Sequence, residues 1–311
     1  MWQCVRTGQL KSEKALEHIR NKGKDSETIN VIYVVDASWK LLDALDLRRF
    51  ILAGPGDTVR QIMDYSFVSI PAYEDREKAV ALIQRYDLVA LPVVDSEGVL
   101  LGIVTVDDVM DVAQEEATED FHKVAAVSPL KISYTKTGIW SLYKKRIGWL
   151  VMLVLMNAVS AGVITAYEDV LVSSLVLASF IPLLIASGGN AGSQSATLVI
   201  RAIAVGDAKM DRWLWAVGRE VCLGFILGIT MGITTWVMGF MRGGYVIAIV
   251  VSLSTITIVM VSNLMGVALP FLLTRLRIDP AVISNPLITS VADIAGLIIY
   301  FSVATWIFGI L

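Results

Sequence analysis

Five long apolar segments in the second half of the chain constrain its fold more than any other feature. They lie near residues 147–167, 170–204, 212–240, 244–274 and 282–311. Each is long enough for the roughly 20 residues that a helix needs to cross the hydrocarbon core of a bilayer. Within lipid, only helices and closed barrels satisfy all of their own backbone hydrogen bonds. The sequence therefore predicts an all-α membrane domain of five helices over residues 140–311.

The composition changes sharply near residue 140. Up to Ile139 the chain carries 22 acidic and 16 basic residues, and from Trp140 onward it carries 7 acidic and 10 basic residues. A hydrophobic fraction of 55% is too high for a soluble protein of 311 residues, even though the first part is polar. Residues 1–40 contain no apolar core of a secretory signal, and Cys4 and Cys222 are too few for a disulfide framework.

The basic residues of the connections predict the orientation of the five helices, because cytoplasmic connections are rich in Lys and Arg. They precede the first and last segments and flank the connection between the second and third: Lys144, Lys145, Arg146, Arg201, Lys209, Arg212, Arg219, Arg275 and Arg277. The opposite connections hold two acidic residues and a single arginine. We expect a protein of the cytoplasmic membrane with its N-terminus in the cytoplasm and its C-terminus outside.

The polar first part repeats itself. Val34-Val35-Asp36 recurs 59 residues later as Val93-Val94-Asp95, and the residues around both stretches align. Short runs rich in β-branched residues alternate with helical patterns, which predicts a small α/β module present twice. The pattern resembles a tandem CBS-domain pair over about residues 3–120, and we expect the regulatory domain to span residues 1–106, with the first copy trimmed at its start. The resemblance implies a regulatory module that binds an adenine nucleotide such as ATP, and the alternative is an inert packing module.

Residues 107–120 contain seven acidic residues and no basic one. At helical spacing Asp108, Asp111 and Glu115 share a face, and like charges at such spacings oppose helix formation unless something neutralises them. A hard divalent cation accepts carboxylate oxygens of this kind. Because the stretch lies between the repeated module and the membrane domain, we predict a cation-binding connecting helix and linker over 107–139. The alternative is a solvated helix face.

The second membrane segment carries an unusual polar and glycine-rich stretch that includes Gly188, Gly189 and Asn190. Paired glycines predict a break in the helix, and carbonyl groups freed by a break are tolerated at membrane depth only where they line a cavity. We therefore expect these three residues to line a pore. The alternative is close packing of helices through small residues.

Asp293 is the only charged residue in the apolar stretch from Pro280 to Leu311. A carboxylate near a bilayer centre costs about 2.5–3.5 kcal/mol unless it meets a cation or a donor. Asn285, Thr289 and Asp293 recur every four residues and share one helix face, and Pro286 is expected to free a carbonyl group one turn earlier. One carboxylate with two neutral oxygens suits Mg²⁺, which keeps much of its water shell. The alternative is a protonated Asp293 bonded to a neighbouring helix.

These two stretches, Pro182–Arg201 and Asp279–Asp293, resemble the MgtE family of magnesium channels, and the resemblance spans about residues 3–311. It implies a homodimer in which Asp293 anchors a hydrated Mg²⁺ on the dimer axis with help from Asn285 and Thr289. It also implies gating by Mg²⁺ bound around the connecting helix. The matched gating residues are Asp87, Asp108, Asp111, Glu116, Glu119, Asp120 and Asp279.

One feature of the family has no counterpart in this sequence. Family chains begin with a helical acidic N domain, so we expect the gating sites that bridge that domain to the CBS pair to be missing here.

The sequence thus predicts a homodimeric Mg²⁺ channel, closed by cytosolic Mg²⁺, whose partners are lipid and divalent cations and not nucleic acid. One alternative is a proton-coupled transporter for divalent metals, although five spans argue against the inverted repeats usual in such carriers. Another is a membrane receptor that senses nucleotide and transports nothing. An enzyme is not expected, because no nucleophile–base pair or His/Cys metal cluster is present.

Overall fold

The structure is a computed structural model of the chain, and the residues it describes are 4–6, 11–54, 56–130, 133–204, 207, 212–279 and 285–309. These residues form two compact units, 1–117 and 118–311. The basic residue Lys209 and the ends of the fifth predicted segment lie outside the described residues.

The first unit contains two three-stranded sheets of the same design. The first sheet has strands β1 (Cys4–Arg6), β2 (Val31–Val35) and β3 (Leu41–Asp46), and the second has β4 (Ile70–Pro71), β5 (Ala90–Val94) and β6 (Leu100–Thr105). In each sheet the first strand is parallel to the second, and the second is antiparallel to the third.

The register confirms the sequence repeat residue by residue. Val34 pairs with Asp43 in one sheet and Val93 pairs with Gly102 in the other, and each pairing is followed by a register shift at the next residue. Both pairs are related by the same offset of 59 residues that the sequence shows. The predicted α/β module is therefore present twice.

Five helices complete this part of the chain: α1 (Ser12–Lys22), α2 (Leu47–Leu52), α3 (Val59–Ile62), α4 (Arg76–Tyr86) and α5 (Val106–Val124). One face of each central strand packs against helices. The opposite face is buried as well, since four of the five residues of β2 and of β5 are buried. Ile32 and Phe50 belong to the core of the first copy, and Ile83 and Leu91 to that of the second. A third cluster that includes Tyr33 and Leu100 joins the two sheets.

The second unit is helical after the end of α5. Its helices are α6 (Ile139–Ala166), α7 (Glu168–Ser173), α8 (Ile181–Ala204), α9 (Trp213–Arg275) and α10 (Asn285–Phe308), with short 3₁₀ turns at Tyr134–Lys136 and Leu175–Phe180. Four of these helices are long and apolar enough to cross a membrane. The chain is a multi-pass membrane protein.

Helix α9 consists of two membrane-spanning rods. Its 63 residues would extend about 95 Å as one helix, three times the thickness of a hydrocarbon core of about 30 Å. The helix is interrupted at Gly244, whose φ of 74° and ψ of −165° are not helical. When this break is counted, the described residues contain five long apolar helical segments, or rods, as the sequence predicted. The break lies next to the boundary predicted between residues 240 and 244.

The two rods of α9 pack against each other through glycines. A Cβ atom at Gly228 would lie 3.0 Å from the carbonyl oxygen of Ile256, and one at Gly239 would lie 2.8 Å from Cα of Ala248. Gly224, Gly228 and Gly232 are buried at spacings of four residues, and small residues at this spacing let helix backbones approach closely in a membrane. One buried hydrogen bond of 3.0 Å, between the hydroxyl groups of Thr235 and Thr255, adds a polar contact to this hairpin.

Candidate cation site

Asp293 lies on α10 where that helix faces α8. Its Oδ1 atom is buried and has no hydrogen-bond partner among the residues that the structure describes. A methyl group at Gly189 of α8 would lie 3.2 Å from this oxygen and 2.7 Å from Cγ2 of Thr289. The structure therefore brings Gly189, which the sequence predicted to line a pore, close to Asp293 and Thr289, which it predicted to bind the ion.

The third predicted residue of α10 continues this contact toward the start of the helix. Asn285 is the first residue of α10, and its Oδ1 accepts a hydrogen bond of 3.1 Å from the hydroxyl group of Thr197 on α8. One hydrogen bond therefore joins α8 to the start of α10. The carbonyl group that Pro286 was expected to free, one turn earlier in the chain, lies outside the described residues.

The predicted break at Gly188 and Gly189 is also wrong, because α8 runs without interruption from Ile181 to Ala204. Both glycines are buried. A Cβ atom at Gly188 would lie 2.6 Å from Cγ2 of Ile258, in the second rod of α9. The glycines therefore allow α8 to approach α9 on one side and α10 on the other, as the packing alternative proposed. The irregular backbone of this segment lies earlier, in the 3₁₀ turn at Leu175–Phe180.

Asn190 belongs to a polar stripe on the exposed side of α8. It is exposed in the single chain, and the exposed residues Gln194 and Thr197 follow it on α8 at spacings of four and three residues. These residues form a polar stripe along a membrane-spanning helix. A stripe of this kind is costly against lipid, so it requires protein or water beside it.

The acidic residues of α5 have cationic partners that lie outside the acidic stretch. Arg76 of α4 pairs with Glu115 at 2.9 Å and with Glu116 at 2.6 Å. The hydrogen bond to Glu116, followed by that to Glu115, raises the pKa of the Arg76 guanidinium. The repulsion expected along residues 107–120 is therefore offset in part by a fixed positive charge.

A second cation joins two of the predicted gating residues. The ammonium group of Lys123, in the last turn of α5, lies 2.9 Å from Glu119 and 2.7 Å from Asp279. Burial lowers the pKa of Lys123, but its hydrogen bonds to Asp279 and Glu119 outweigh this effect, and the net shift is upward. The structure thus brings Glu119 and Asp279 together around the ammonium group of Lys123.

The remaining predicted gating residues are Asp87, Asp108, Asp111 and Asp120. Asp108 accepts a hydrogen bond of 2.9 Å from Thr105 at the start of α5, and Asp111 is exposed. Asp87 is exposed and ends α4 with a left-handed φ of 50°, and Asp120 is half-buried. Within the described ranges, no group of three or more Asp, Glu, His or Cys residues is placed to hold a metal ion.

A second acidic residue within the described membrane-spanning helices, besides Asp293, was not identified in the sequence analysis. Glu220, in the first rod of α9, is 9% exposed. The hydroxyl group of Ser195 on α8 lies 3.1 Å from Oε2 of Glu220 and 3.2 Å from the carbonyl oxygen of Asn263. The signal was available, since Glu220 is a lone carboxylate in an apolar segment, as Asp293 is.

The fold defines a class: multi-pass membrane proteins that carry a pair of CBS modules ahead of their membrane-spanning helices. A family model described as "Divalent cation transporter" (MgtE) matches residues 181–303, and the CBS domain model matches residues 59–115. The chain is 42% identical over 301 residues to the magnesium transporter MgtE of Thermus thermophilus, covering 97% of this chain and 67% of that protein. The chain belongs to the MgtE family.

Other relatives agree with this assignment. The magnesium transporter MgtE of Bacillus subtilis is 33% identical over 292 residues, which is 94% of this chain and 64% of that protein. The chain thus spans about two thirds of the length of these curated relatives. A solved structure titled as the cytosolic domain of the Mg²⁺ channel MgtE in complex with ATP is 44% identical, with a TM-score of 0.35 over 36% of this chain and 44% of that one.

Proposed function

We propose that this chain carries Mg²⁺ across the cytoplasmic membrane as a homodimeric channel that cytosolic Mg²⁺ closes. Its family is one of divalent cation transporters, and the relatives from Thermus thermophilus and Bacillus subtilis are both named as magnesium transporters.

The observation that carries the proposal is the position of Asp293. Its Oδ1 atom is buried in a membrane helix and has no partner among the described residues. A buried carboxylate without a fixed cation is costly, and such residues mark ion pathways in membrane proteins. Thr289 and Asn285 place two further oxygen donors along the same helix. One carboxylate with neutral oxygens fits a hydrated Mg²⁺, which is usually held by one or two carboxylates and several waters.

The polar stripe of α8 supports the dimer. Asn190, Gln194 and Thr197 are exposed in one chain but belong to a membrane-spanning helix. In a twofold dimer the same surface of each copy meets its counterpart. A dimer that joined along this stripe would remove it from lipid and bring two Asp293 carboxylates toward one axis. Their combined charge of −2 would balance one divalent ion.

Control by cytosolic Mg²⁺ follows from the acidic α5 in this proposal. Divalent ions that bind its carboxylates and Asp279 would hold the end of α5 near the start of the last span, and scarcity of Mg²⁺ would release it. Such a switch acts by changing charge at an element with two arrangements. By analogy with the relative whose structure contains ATP, the CBS pair would bind ATP.

The test is Asp293→Asn, which keeps the shape of the side chain and removes its charge. Losing a hydrogen bond to a charged group costs about 1.5–3 kcal/mol, so we expect Mg²⁺ flux into proteoliposomes to fall about 10- to 100-fold while the dimer still assembles. The matched control is Asp169→Asn, which changes an exposed carboxylate of α7 and should leave flux unchanged.

Normal flux in Asp293→Asn would remove this residue from the permeation path. Flux that requires a pH gradient in the unmodified protein would favour a proton-coupled transporter over a channel.

A further inference from the structure

The start of α9 presents an exposed face that combines two arginines with a tryptophan. Arg212, Trp215 and Arg219 follow one another at spacings of three and four residues, so they lie on one side of the helix. Trp215 is 65% exposed, and both arginines are exposed. The guanidinium carbon of Arg219 lies 5.6 Å from the centre of the Trp215 ring. The ring therefore holds this guanidinium group in place by a cation–π contact.

The two arginines of this face have no carboxylate to balance them. Neither forms an ion pair within the part of the chain that the structure describes, and the first turn of α9 contains no acidic residue. Glu220 directly follows Arg219 but turns away from the face, since it is 9% exposed and accepts a hydrogen bond of 3.1 Å from Ser195 on α8. Among the described residues, the face thus carries two uncompensated positive charges.

The length of the first rod of α9 places this face at the level of the lipid headgroups. From Trp213 to the break at Gly244 the rod is about 46 Å long, whereas the hydrocarbon core is about 30 Å thick. A centred rod extends about 8 Å beyond the core at each end. Arg219 lies about 9 Å after the start of the helix, which is close to the boundary between headgroups and acyl chains. Leu223 and Ile226 continue the same side toward the core and are 39% and 56% exposed.

We propose that this face binds the headgroup of an anionic phospholipid. Arg219 donates hydrogen bonds to the phosphate, because the fork of a guanidinium group matches phosphate oxygens in pairs. Arg212, about 10 Å nearer to water, adds a second positive charge. Trp215 lies at the interface, where tryptophan is enriched in membrane proteins, and Leu223 and Ile226 contact the acyl chain. A free phosphate would leave this apolar part of the face uncovered, so the occupant is a lipid.

Loss of either the charge or the ring should reduce the preference for an anionic lipid over a zwitterionic one. A basic side chain near an anionic membrane surface contributes about a fivefold preference. Arg219→Gln should therefore lower the ratio of the affinities for phosphatidylglycerol and phosphatidylcholine about fivefold. Trp215→Leu removes the ring that holds Arg219 and should lower the ratio about two- to fivefold, whereas Trp215→Phe keeps a ring and should lose less.

The experiment uses Cys222, an exposed cysteine one turn after Arg219, as the site of a fluorescent label. The full chain with Cys4→Ser is held in nanodiscs of mixed phosphatidylglycerol and phosphatidylcholine. Traces of either lipid with a spin label on its acyl chain quench the fluorophore, and the ratio of the two quenching efficiencies measures the ratio of affinities. We expect stronger quenching by phosphatidylglycerol. The matched control is Arg146→Gln, which removes an exposed arginine near the start of α6 and should leave the ratio unchanged.

Three results would overturn the inference. The first is equal quenching by the two lipids in the chain with the unmodified face. The second is an unchanged ratio in Arg219→Gln. The third is an equal loss in Arg219→Gln and Arg146→Gln, because that result requires only the overall charge at one end of the helices. Lipid binding is measured without any transported ion, so these results do not bear on the proposed transport of Mg²⁺.

Discussion

The contact between Gly189 and Thr289 gives the sharpest test of the membrane site. A Cβ atom at position 189 would lie 2.7 Å from Cγ2 of Thr289, whereas carbon atoms in contact stay about 3.5–4.0 Å apart. Gly189→Ala would therefore force α8 and α10 apart by about 1 Å or rotate Thr289 out of its place. The same methyl group would lie 3.2 Å from Oδ1 of Asp293, so the disturbance falls on the proposed ion site.

The size of the effect follows from two opposing contributions. Overpacking a tight interior costs about 1–3 kcal/mol. Replacing glycine by alanine within a helix gains about 0.5–1 kcal/mol. The net loss of stability should therefore be about 0–2.5 kcal/mol. A cost of 1 kcal/mol at the ion site corresponds to about a fivefold change in occupancy. We expect Mg²⁺ flux to fall at least about fivefold, out of proportion to the small change in thermal stability.

The chain offers both a control and a rescue. Gly218→Ala adds the same methyl group to the first rod of α9, where no heavy atom lies within 4 Å of the new Cβ, and it should retain full flux. Thr289→Ser removes the clashing Cγ2 atom but keeps the hydroxyl group, so it should restore much of the flux of Gly189→Ala. A double-mutant cycle measures this coupling directly. Additive effects of the two substitutions, or normal flux in Gly189→Ala, would refute the proposed contact.

Two further predictions concern acidic residues outside this contact. One variant replaces four acidic residues of α5 by alanine: Asp108, Asp111, Glu116 and Glu119. If bound Mg²⁺ holds the gate shut, this variant should conduct even at high cytosolic Mg²⁺ in a flux assay, whereas a channel shut at all Mg²⁺ levels would contradict that mechanism. Glu220→Ala should lower the free energy of unfolding of the membrane-spanning helices by about 0.5–1.5 kcal/mol, because Ser195 loses one of its two acceptors and keeps the carbonyl oxygen of Asn263. Glu220→Gln can still bond to Ser195 and should lose less, and equal losses would contradict this role.

The sequence predicted features that depend on local pattern. The offset of 59 residues between Val34 and Val93 predicted the repeat, and it also holds in the pairing registers of the two sheets. The side-chain period of two in a strand ties each residue to one face, so a repeated sequence implies a repeated register. Gly244 interrupts α9 between the third and fourth predicted segments, because two spans of such length require a turn between them.

The glycine pair in α8 shows where local pattern fails. Gly188 and Gly189 weaken an isolated helix, and the sequence alone favoured a break there. In the structure, α9 and α10 fill the space beside both glycines, and α8 continues through them. Whether a glycine breaks a helix or admits a neighbour depends on residues that are distant in the chain, such as Ile258 and Thr289.

The ion-pair partners of the acidic helix show that a local count of charges fails for the same reason. Counting residues 107–120 alone gave seven acids and no base. Arg76 comes from another helix, and Lys123 lies just beyond the counted window. A charge count along the chain cannot detect partners that the fold brings in, so the predicted repulsion was too strong.

The acidic residues of this chain therefore fall into two physical groups. Glu116, Glu119 and Asp279 contact fixed cations through partly exposed ion pairs. Asp293 is held in a membrane helix with no such cation among the described residues. A permanent positive charge beside Asp293 would repel the ion that the proposed pore conducts. A carboxylate that only joins two parts of the chain can keep a fixed cation, whereas a conducting site with the same lysine would be blocked.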